Sequence, residues 1–344
     1  MTTATKGSAA PKSAIDVGSV RPPPESIAAA FRQAASAAEA FAGATSPNPP
    51  VGCVVLDAQG RVLACEAHRK AGTAHAEAAA IASCRAAGAF DRIHTLVVTL
   101  EPCNHTGRTP PCAEAILATP ARAVWIGARD PNAKVAGGGC ARLTAAGLDV
   151  AFVEALDHPD AAELHRVLRR LIAPFRTWCE RGRPWLTIKQ AIAAGGGMIA
   201  PSGRGTFTSP SSLALAHRLR RRADAIITGS GCILADDPAF TVRHAPDHPG
   251  KERILAILDR RGRTPRTYVD AAEARGFDVM LHGDIPSLLS ELAADGVIEA
   301  LVEAGPTLHA AFMERGLWDE QVIIRQAAAP GEPDAIEIRT RSDF

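Results

Sequence analysis

The chain has 344 residues, of which 47% are apolar, and a formal net charge of +1. This length is sufficient for two domains, each with its own hydrophobic core. The near-zero charge gives no electrostatic attraction for nucleic acid, and no apolar run approaches the about 20 residues that a transmembrane helix needs. We therefore expect neither a nucleic acid nor a membrane as a partner.

The N-terminal segment 1–26 is rich in Ala, Ser, Thr, Pro and Gly and lacks the apolar core of a secretory signal. This composition predicts a disordered leader. The eight cysteines are scattered along the chain rather than grouped as a disulfide framework. With no export signal, we expect reduced thiols and a cytoplasmic protein.

Residues 27–160 alternate helical and strand patterns and are predicted to form the first domain. A helix is expected from Ile27, with Ser26 as its N-cap, and a second helix ends at Gly88. The alternation predicts an α/β domain in which helices cover a sheet. The predicted strands are 51–57, 61–67, 95–102, 123–130 and 148–154, and the later helices are 75–88 and 112–119.

Residues 161–184 are helical in pattern and basic, and they are predicted to connect this domain to a second α/β domain over 185–344. The second domain has strand patterns at 185–193, 225–230, 252–259, 298–305 and 321–325. A basic cluster, RLRRR at 218–222, lies on one of its predicted helices. A solvated helix face and a phosphate site explain this cluster about equally well.

The residues that carry the clearest chemistry are His75, Cys103 and Cys112. One imidazole and two thiolates give zinc three protein ligands and leave the fourth tetrahedral position open, as in catalytic sites. Glu77 follows the histidine by two residues and is placed to carry protons as a general acid/base. The pattern His-x-Glu, then Pro-Cys and a second Cys, is typical of zinc-dependent deaminases.

Two other interpretations of this trio stay open. A structural zinc needs a fourth ligand, which His105 can supply, and the two cysteines can also be ordinary core residues. The conjunction of all four residues with Pro102 favours a catalytic zinc over both.

The eight residues between the cysteines, NHTGRTPP, distinguish this chain from general cytidine and adenosine deaminases, which have two. Together with the segments at 48–54, 67–77 and 129–139, they closely resemble the deaminase half of the bifunctional riboflavin-biosynthesis deaminase/reductase. The resemblance implies a cytidine-deaminase-like, three-layer α/β/α domain. The expected reaction removes the 2-amino group of 2,5-diamino-6-ribosylamino-4(3H)-pyrimidinone 5′-phosphate.

The same resemblance assigns further residues by position. Asn48 resembles the asparagine that contacts the pyrimidine, and His68, His105 and Arg108 resemble polar residues of the substrate pocket. The chemistry is suitable, because an arginine can bind phosphate and an amide can pair with a pyrimidine edge.

The resemblance continues into the second domain and implies a dihydrofolate-reductase-like α/β fold that uses NADPH to reduce ribosyl to ribityl. The quoted stretches are 185–191, 208–210, 217–243 and 302–305. The residues that match substrate and cofactor positions of the family are Lys189, Thr208, Arg220, Asp236, Arg243 and Glu303.

The second domain also departs from the family pattern. The segment 193–198 reads AAGGGM, and Thr206, Cys232 and Ala304 replace an aromatic residue, a threonine and a glycine. The chain looks too short for the usual strands between Pro265 and Val279 and abbreviated after residue 325. Both a divergent working reductase and a decayed domain kept for packing or oligomerisation stay open, and we favour decay.

The sequence therefore predicts a zinc-dependent pyrimidine deaminase, acting on a small phosphorylated aminopyrimidine, in a homo-oligomer. The enzymatic alternative is a monofunctional paralogue that deaminates another aminated heterocycle. The non-enzymatic alternative is a zinc-binding scaffold protein, which ammonia release distinguishes from the enzyme.

Overall fold

A computed structural model describes residues 21–104, 111–132, 136–198, 206–329 and 332–341. Within these ranges no helix combines the length and apolarity that crossing a lipid bilayer requires. The chain forms two sheets, and each sheet has helices on its faces.

In the described residues, the first sheet has five strands in the order β2-β1-β3-β4-β5. β1 pairs with β2 and β3 in antiparallel fashion, and β3, β4 and β5 are parallel. The strands are β1 (Gly52–Leu56), β2 (Val62–Ala67), β3 (Thr95–Val98), β4 (Ala123–Ile126) and β5 (Asp149–Phe152).

Helices cover both faces of this sheet because successive strand residues point to opposite sides. Val54, Leu56 and Val97 face α1 (Pro24–Glu39) and α5 (Ala161–Leu171) in one core cluster. Their neighbours along the same strands face a second cluster, which includes residues of the helices on the other side. Those helices are α2 (Ala76–Ala86), α3 (Cys112–Leu117) and α4 (Gly138–Ala145). The predicted three-layer α/β/α domain is confirmed.

The predicted connecting segment consists of α5 and a further helix, α6 (Ala173–Arg181). α6 ends at Gly182, which has a left-handed backbone conformation with φ of 62°. Glycine adopts this conformation at low cost, which makes it a common helix terminator. The chain then enters the second sheet at Trp185.

The second sheet has seven strands among the described residues, in the order β12-β11-β6-β10-β7-β8-β9. All neighbouring pairs are parallel except β11 with β12. The strands are β6 (Trp185–Ile192), β7 (Ala225–Gly229), β8 (Arg253–Leu258), β9 (Phe277–His282), β10 (Glu299–Glu303), β11 (Glu320–Arg325) and β12 (Ala335–Thr340).

Five helices among the described residues connect these strands: α7 (Pro210–Arg222), α8 (Ser230–Asp236), α9 (Arg266–Ala274), α10 (Ile285–Ala294) and α11 (Pro306–Glu314). α8 and α9 pack on one face, against Ile226 and Leu255, whereas α10 and α11 pack on the other, against Ile188 and Ile227. The change of face lies between β7 and β10. In open parallel sheets, the crevice at such a switch point binds ligands.

Several predictions for individual elements were wrong. α1 begins at Pro24 with Pro23 as its N-cap, so Ser26 lies inside the helix and makes no capping contact. The stretch from Pro265 to Val279 is not too short, because α9 and the start of β9 complete a parallel crossover there. The segment after residue 325 still forms a strand, β12, on the edge of the sheet. Four helices, α4, α8, α9 and α11, had no counterpart among the elements predicted from the sequence.

We predict that Gly52→Ala lowers the free energy of unfolding by about 2 kcal/mol, as overpacking of a filled core typically does. A Cβ at Gly52 would lie 2.0 Å from the backbone oxygen of Ala34, so α1 would have to move off the sheet. Urea denaturation measures the change. Gly195→Ala is the control, because no heavy atom lies within 4 Å of a Cβ there. Equal losses in the two variants would contradict this close approach of α1 and β1.

Candidate functional site

His75 and Glu77 lie at the beginning of α2. His75 is the N-cap residue, with an extended backbone, and Glu77 is in the first turn. Glu77 is buried, with 3% of its surface exposed. Burial is the main reason why the pKa of Glu77 is raised above its ordinary value. A buried carboxyl group of this kind suits proton transfer near neutral pH.

Cys103 and Cys112 lie beside His75, on parts of the chain that follow β3. Cys103 follows β3 along the chain, and Cys112 is the first residue of α3. The Cys112 backbone N–H donates to Cys103 Sγ at 3.4 Å. Hydrogen bonds from the Cys112 thiol and from His75 lower the pKa of Cys103 well below its ordinary value. Cys103 is therefore readily ionised to a thiolate, the form that binds zinc.

The three side chains fit a zinc ion. His75 Nδ1 lies 3.7 Å from Cys103 Sγ and 3.3 Å from Cys112 Sγ. All three ligand atoms lie within 4.8 Å of one another. Ordinary zinc bond lengths in a tetrahedron place sulfur and nitrogen ligands about 3.6 Å apart. The trio predicted from sequence is therefore brought together with a separation that suits this metal.

His105, the possible fourth ligand of a structural zinc, lies outside the described residues. Arg108, the other predicted substrate residue of this segment, does so too. Their assignments stay predictions.

The other two predicted substrate residues, Asn48 and His68, lie beside the trio. The His68 ring packs edge-on against His75, with centroids 5.2 Å apart. Its Nδ1 lies 3.1 Å from the Ala74 oxygen and its Nε2 lies 3.5 Å from Asn48 Nδ2. Burial lowers the pKa of His68, so the ring is neutral: Nδ1–H donates to Ala74, and Nε2 accepts from Asn48. This contact leaves the Asn48 carbonyl oxygen available to a ligand.

Sequence reasoning missed two residues that support Cys103. The carboxylate of Glu101 accepts hydrogen bonds from the backbone N–H groups of Asp130 and Cys140, the latter in the first turn of α4. A Cβ at Gly139 would lie 1.9 Å from the Pro102 oxygen. α4 therefore packs directly on the residues before Cys103. The glycine run at 137–139 was the available signal, although the resemblance used it only as a family marker.

The six predicted reductase residues all line one cleft at the switch point of the second sheet. The cleft has a volume of about 1820 Å³. Single small-molecule sites usually have about 300–1,000 Å³, so this cleft has room for a substrate and a dinucleotide together. The six residues are Lys189, Thr208, Arg220, Asp236, Arg243 and Glu303.

The best-ordered group in this cleft surrounds Glu303 at the end of β10. Arg220 donates to both carboxylate oxygens, at 2.6 and 3.1 Å, and Lys189 Nζ lies 3.9 Å away. Burial opposes ionisation, but the charges of Lys189 and Arg220 outweigh it and lower the pKa of Glu303. Glu303 is therefore an anion that orders two cations at the floor of the cleft.

The remaining predicted residues lie at the rim. The Thr208 hydroxyl lies 3.0 Å from that of Thr206, Asp236 is exposed at the end of α8, and Arg243 donates to the Thr241 hydroxyl. His217 was missed, although it lies three residues before Arg220 on α7. Its buried Nε2 has no partner among the described residues.

Two residues that depart from the family pattern, Cys232 and Ala304, make contacts that the structure describes. Cys232 Sγ accepts the Gly305 N–H at 2.9 Å, so the thiol joins the beginning of α8 to the residue before α11. Ala304 packs against the core cluster of α10 and α11, although it also lines the cleft. Residues 199–205 lie outside the described residues.

We predict that Cys103→Ala loses most of its bound zinc, because two ligands hold the ion less tightly than three. Metal analysis of the purified protein measures the occupancy. Cys65→Ala is the control, since Cys65 is an exposed free thiol on β2. Full zinc occupancy in Cys103→Ala would contradict its role as a ligand.

Comparisons with known proteins agree with both halves of the chain. The family model for the cytidine and deoxycytidylate deaminase zinc-binding region matches residues 24–128, and the model for the RibD C-terminal domain matches 184–335. The riboflavin biosynthesis protein RibD of Mycobacterium tuberculosis is 36% identical over 281 residues, covering 80% of this chain and 77% of that protein. RibD of Escherichia coli is 34% identical over 313 residues, covering 81% and 82%.

Solved structures show the same architecture. Acinetobacter baumannii RibD, form 1, has a TM-score of 0.75 at 28% identity and covers 90% of this chain and 89% of that chain. The diaminohydroxyphosphoribosylaminopyrimidine deaminase/5-amino-6-(5-phosphoribosylamino)uracil reductase of Thermotoga maritima has a TM-score of 0.76 at 27% identity, with the same coverage. The chain belongs to the RibD family of riboflavin biosynthesis proteins.

Proposed function

We propose that the first domain is a zinc-dependent deaminase of riboflavin biosynthesis that acts on the 2-amino group of 2,5-diamino-6-ribosylamino-4(3H)-pyrimidinone 5′-phosphate. The observation that carries this proposal is the convergence of His75, Cys103 and Cys112 beside the buried carboxyl group of Glu77. The identity of the substrate is proposed from the membership of this chain in the RibD family.

The reaction replaces the exocyclic C–N bond between C2 of the ring and its amino group by a C–O bond, and it releases ammonia. His75, Cys103 and Cys112 would hold a zinc ion, which would supply a water molecule of lowered pKa at neutral pH. Glu77 accepts a proton from the attacking water and returns it to the departing nitrogen, which must leave as ammonia rather than as an amide anion. Its burial keeps that proton away from bulk solvent.

Asn48 and His68 orient the ring in this proposal. The neutral Nε2 of His68 accepts from the Asn48 amide group, which fixes the direction of that amide. The Asn48 oxygen then accepts an N–H of the pyrimidine edge. His105 and Arg108, which lie outside the described residues, are proposed to bind ribose and phosphate.

We further propose that the second domain is a working reductase, the alternative that the sequence analysis did not favour. Its support is the intact cluster of Lys189, Arg220 and Glu303 inside one cleft, since a decaying domain has no need to keep a buried carboxylate paired with two cations. The cleft around these residues would hold NADPH, which would supply the hydride that reduces the ribosyl group. Lys189 and Glu303 are placed to hold and move the accompanying proton.

Arginines at the end of β8 are proposed to select NADPH over NADH. Arg260, Arg261 and Arg263 line the cleft, and all three are exposed. Among the described residues, no ion pair is formed by Arg260 or Arg261, so both remain available to an anion. Guanidinium groups bind phosphate in a bidentate manner, which suits the 2′-phosphate that distinguishes the two cofactors.

A cytoplasmic location and a homo-oligomer are part of the same proposal. All eight cysteines are free thiols, as expected in a reducing compartment. β12 forms an edge of the second sheet in the described residues, and its Ile336 and Ile338 are 46% and 51% exposed. Exposed apolar residues on an edge strand favour pairing with a second copy.

We predict that Glu77→Gln keeps its zinc but loses about 10³-fold in the rate of deamination, within the usual range for a general acid/base. Ammonia release and metal content are measured on the same preparation. Glu114→Gln on α3 is the control, because Glu114 is exposed and pairs with Arg142 on the surface. Near-normal turnover of Glu77→Gln would exclude the proposed role of Glu77.

We predict that replacing Arg260 and Arg261 together by alanine weakens NADPH binding at least tenfold, because one charge-assisted phosphate contact is worth roughly that factor. NADH binding should change little. Fluorescence titration with each nucleotide measures both constants without turnover. An equal loss for both nucleotides would show that these arginines do not recognise the 2′-phosphate.

A further inference from the structure

The chain between α1 and β1 carries Asn48 to the deaminase site. We call residues 40–48 the Asn48 loop. Two hydrogen bonds join Thr45 and Asn48 at the end of this loop. The backbone N–H of Asn48 donates to the backbone oxygen of Thr45, and the Thr45 hydroxyl donates to the backbone oxygen of Asn48, both at 2.9 Å. Thr45 is fully buried. The position of the Asn48 side chain therefore depends on what holds this loop.

Three basic side chains of the second domain hold the loop by its backbone. Arg221 donates to the Ala40 oxygen at 2.7 Å. The Nε2 of His248 lies 2.9 Å from the Ala42 oxygen. Lys251 Nζ donates to the Gly43 oxygen at 2.5 Å. Nearly successive carbonyl groups of the deaminase half are thus bound by residues that are distant in sequence and belong to the reductase half.

Lys251 has the most complete set of partners. Its side chain is 6% exposed, and its ammonium group also donates to the Arg222 oxygen and to Asp224 Oδ1, both at 3.0 Å. All three of its N–H bonds therefore have acceptors. The loop fits closely here, because a Cβ at Gly43 would lie 2.1 Å from the Arg222 oxygen and Gly43 has a φ of 84°.

His248 is neutral in this arrangement. Burial lowers its pKa, and only 8% of its surface is exposed. Its Nε2–H donates to Ala42, whereas Nδ1 lies 3.4 Å from Arg221 Nη2 and accepts from it. Arg221 and His248 thus support each other as well as the loop.

We propose that Lys251, His248 and Arg221 are positioning residues for deamination, through which the second domain holds the Asn48 loop in its substrate-binding conformation. The inference rests on the proposed deaminase function. It also gives the second domain a role in the first reaction that is independent of its own chemistry. The residue before Arg221, Arg220, pairs with Glu303, so one turn of α7 contacts both the reductase cleft and the Asn48 loop.

The test compares deamination kinetics and zinc content of the full-length wild type with those of Lys251→Met and Arg221→Ala. Lys251→Met should raise KM about tenfold, the effect of losing one charge-assisted hydrogen bond, with kcat and zinc content nearly unchanged. Arg221→Ala should change KM in the same direction, and it is the second variant if Lys251→Met does not fold. Arg218→Ala is the matched control, because Arg218 is exposed on the same helix.

A double-mutant cycle distinguishes positioning from general destabilisation. If Lys251 acts through Asn48, then Lys251→Met should have no further effect on KM in an Asn48→Ala background. Unchanged KM in both folded, zinc-loaded single variants, or effects that add fully to that of Asn48→Ala, would overturn the inference. A zinc-loaded wild type that releases no ammonia from the diaminopyrimidine phosphate would overturn the proposed function, and the inference with it.

Discussion

The first domain depends on one point at which two thiols and an imidazole meet. His75 and Cys112 stand at the beginnings of α2 and α3, and Cys103 follows β3, so three elements must be held within a few ångströms of each other. Such a cluster suits a cation that compensates the thiolate charge. The packing of α4 on Pro102, which requires Gly139, fixes the strand end from the other side.

The two domains are joined by hydrogen bonds and an ion pair as well as by the connecting segment. Carbonyl groups of the loop before β1 accept hydrogen bonds from Arg221, His248 and Lys251, while α5 is tied to the second sheet through Arg170 and Glu320. His248, Lys251 and Glu320 are buried, so each of them would carry a desolvation cost if it lost its partner. A reductase-like domain is therefore part of the deaminase structure, whatever its own rate of turnover.

Ligand spacing along the chain indicated the zinc trio and Glu77, and hydrophobic periodicity indicated two α/β domains, because both are short-range signals. The specific fold of each domain was implied by the family resemblance. The sequence could not predict the Lys251 contacts, since they join residues about two hundred positions apart and nothing local marks them. The RLRRR cluster shows the same limit. Arg220 enters the cleft and Arg221 contacts the other domain, so neither single interpretation of the cluster was complete. Arg260 and Arg261 could not be proposed as phosphate-binding residues from the sequence, because only the folded sheet brings them to the cleft.

Zinc-dependent deamination is tested by incubating the zinc-loaded protein with the diaminopyrimidine phosphate in ¹⁸O-labelled water, without NADPH, and by measuring ammonia and the mass of the product. We expect one ammonia per product and a labelled carbonyl oxygen in place of the 2-amino group. Wild-type protein with full zinc occupancy that leaves this substrate unchanged would contradict the proposed function.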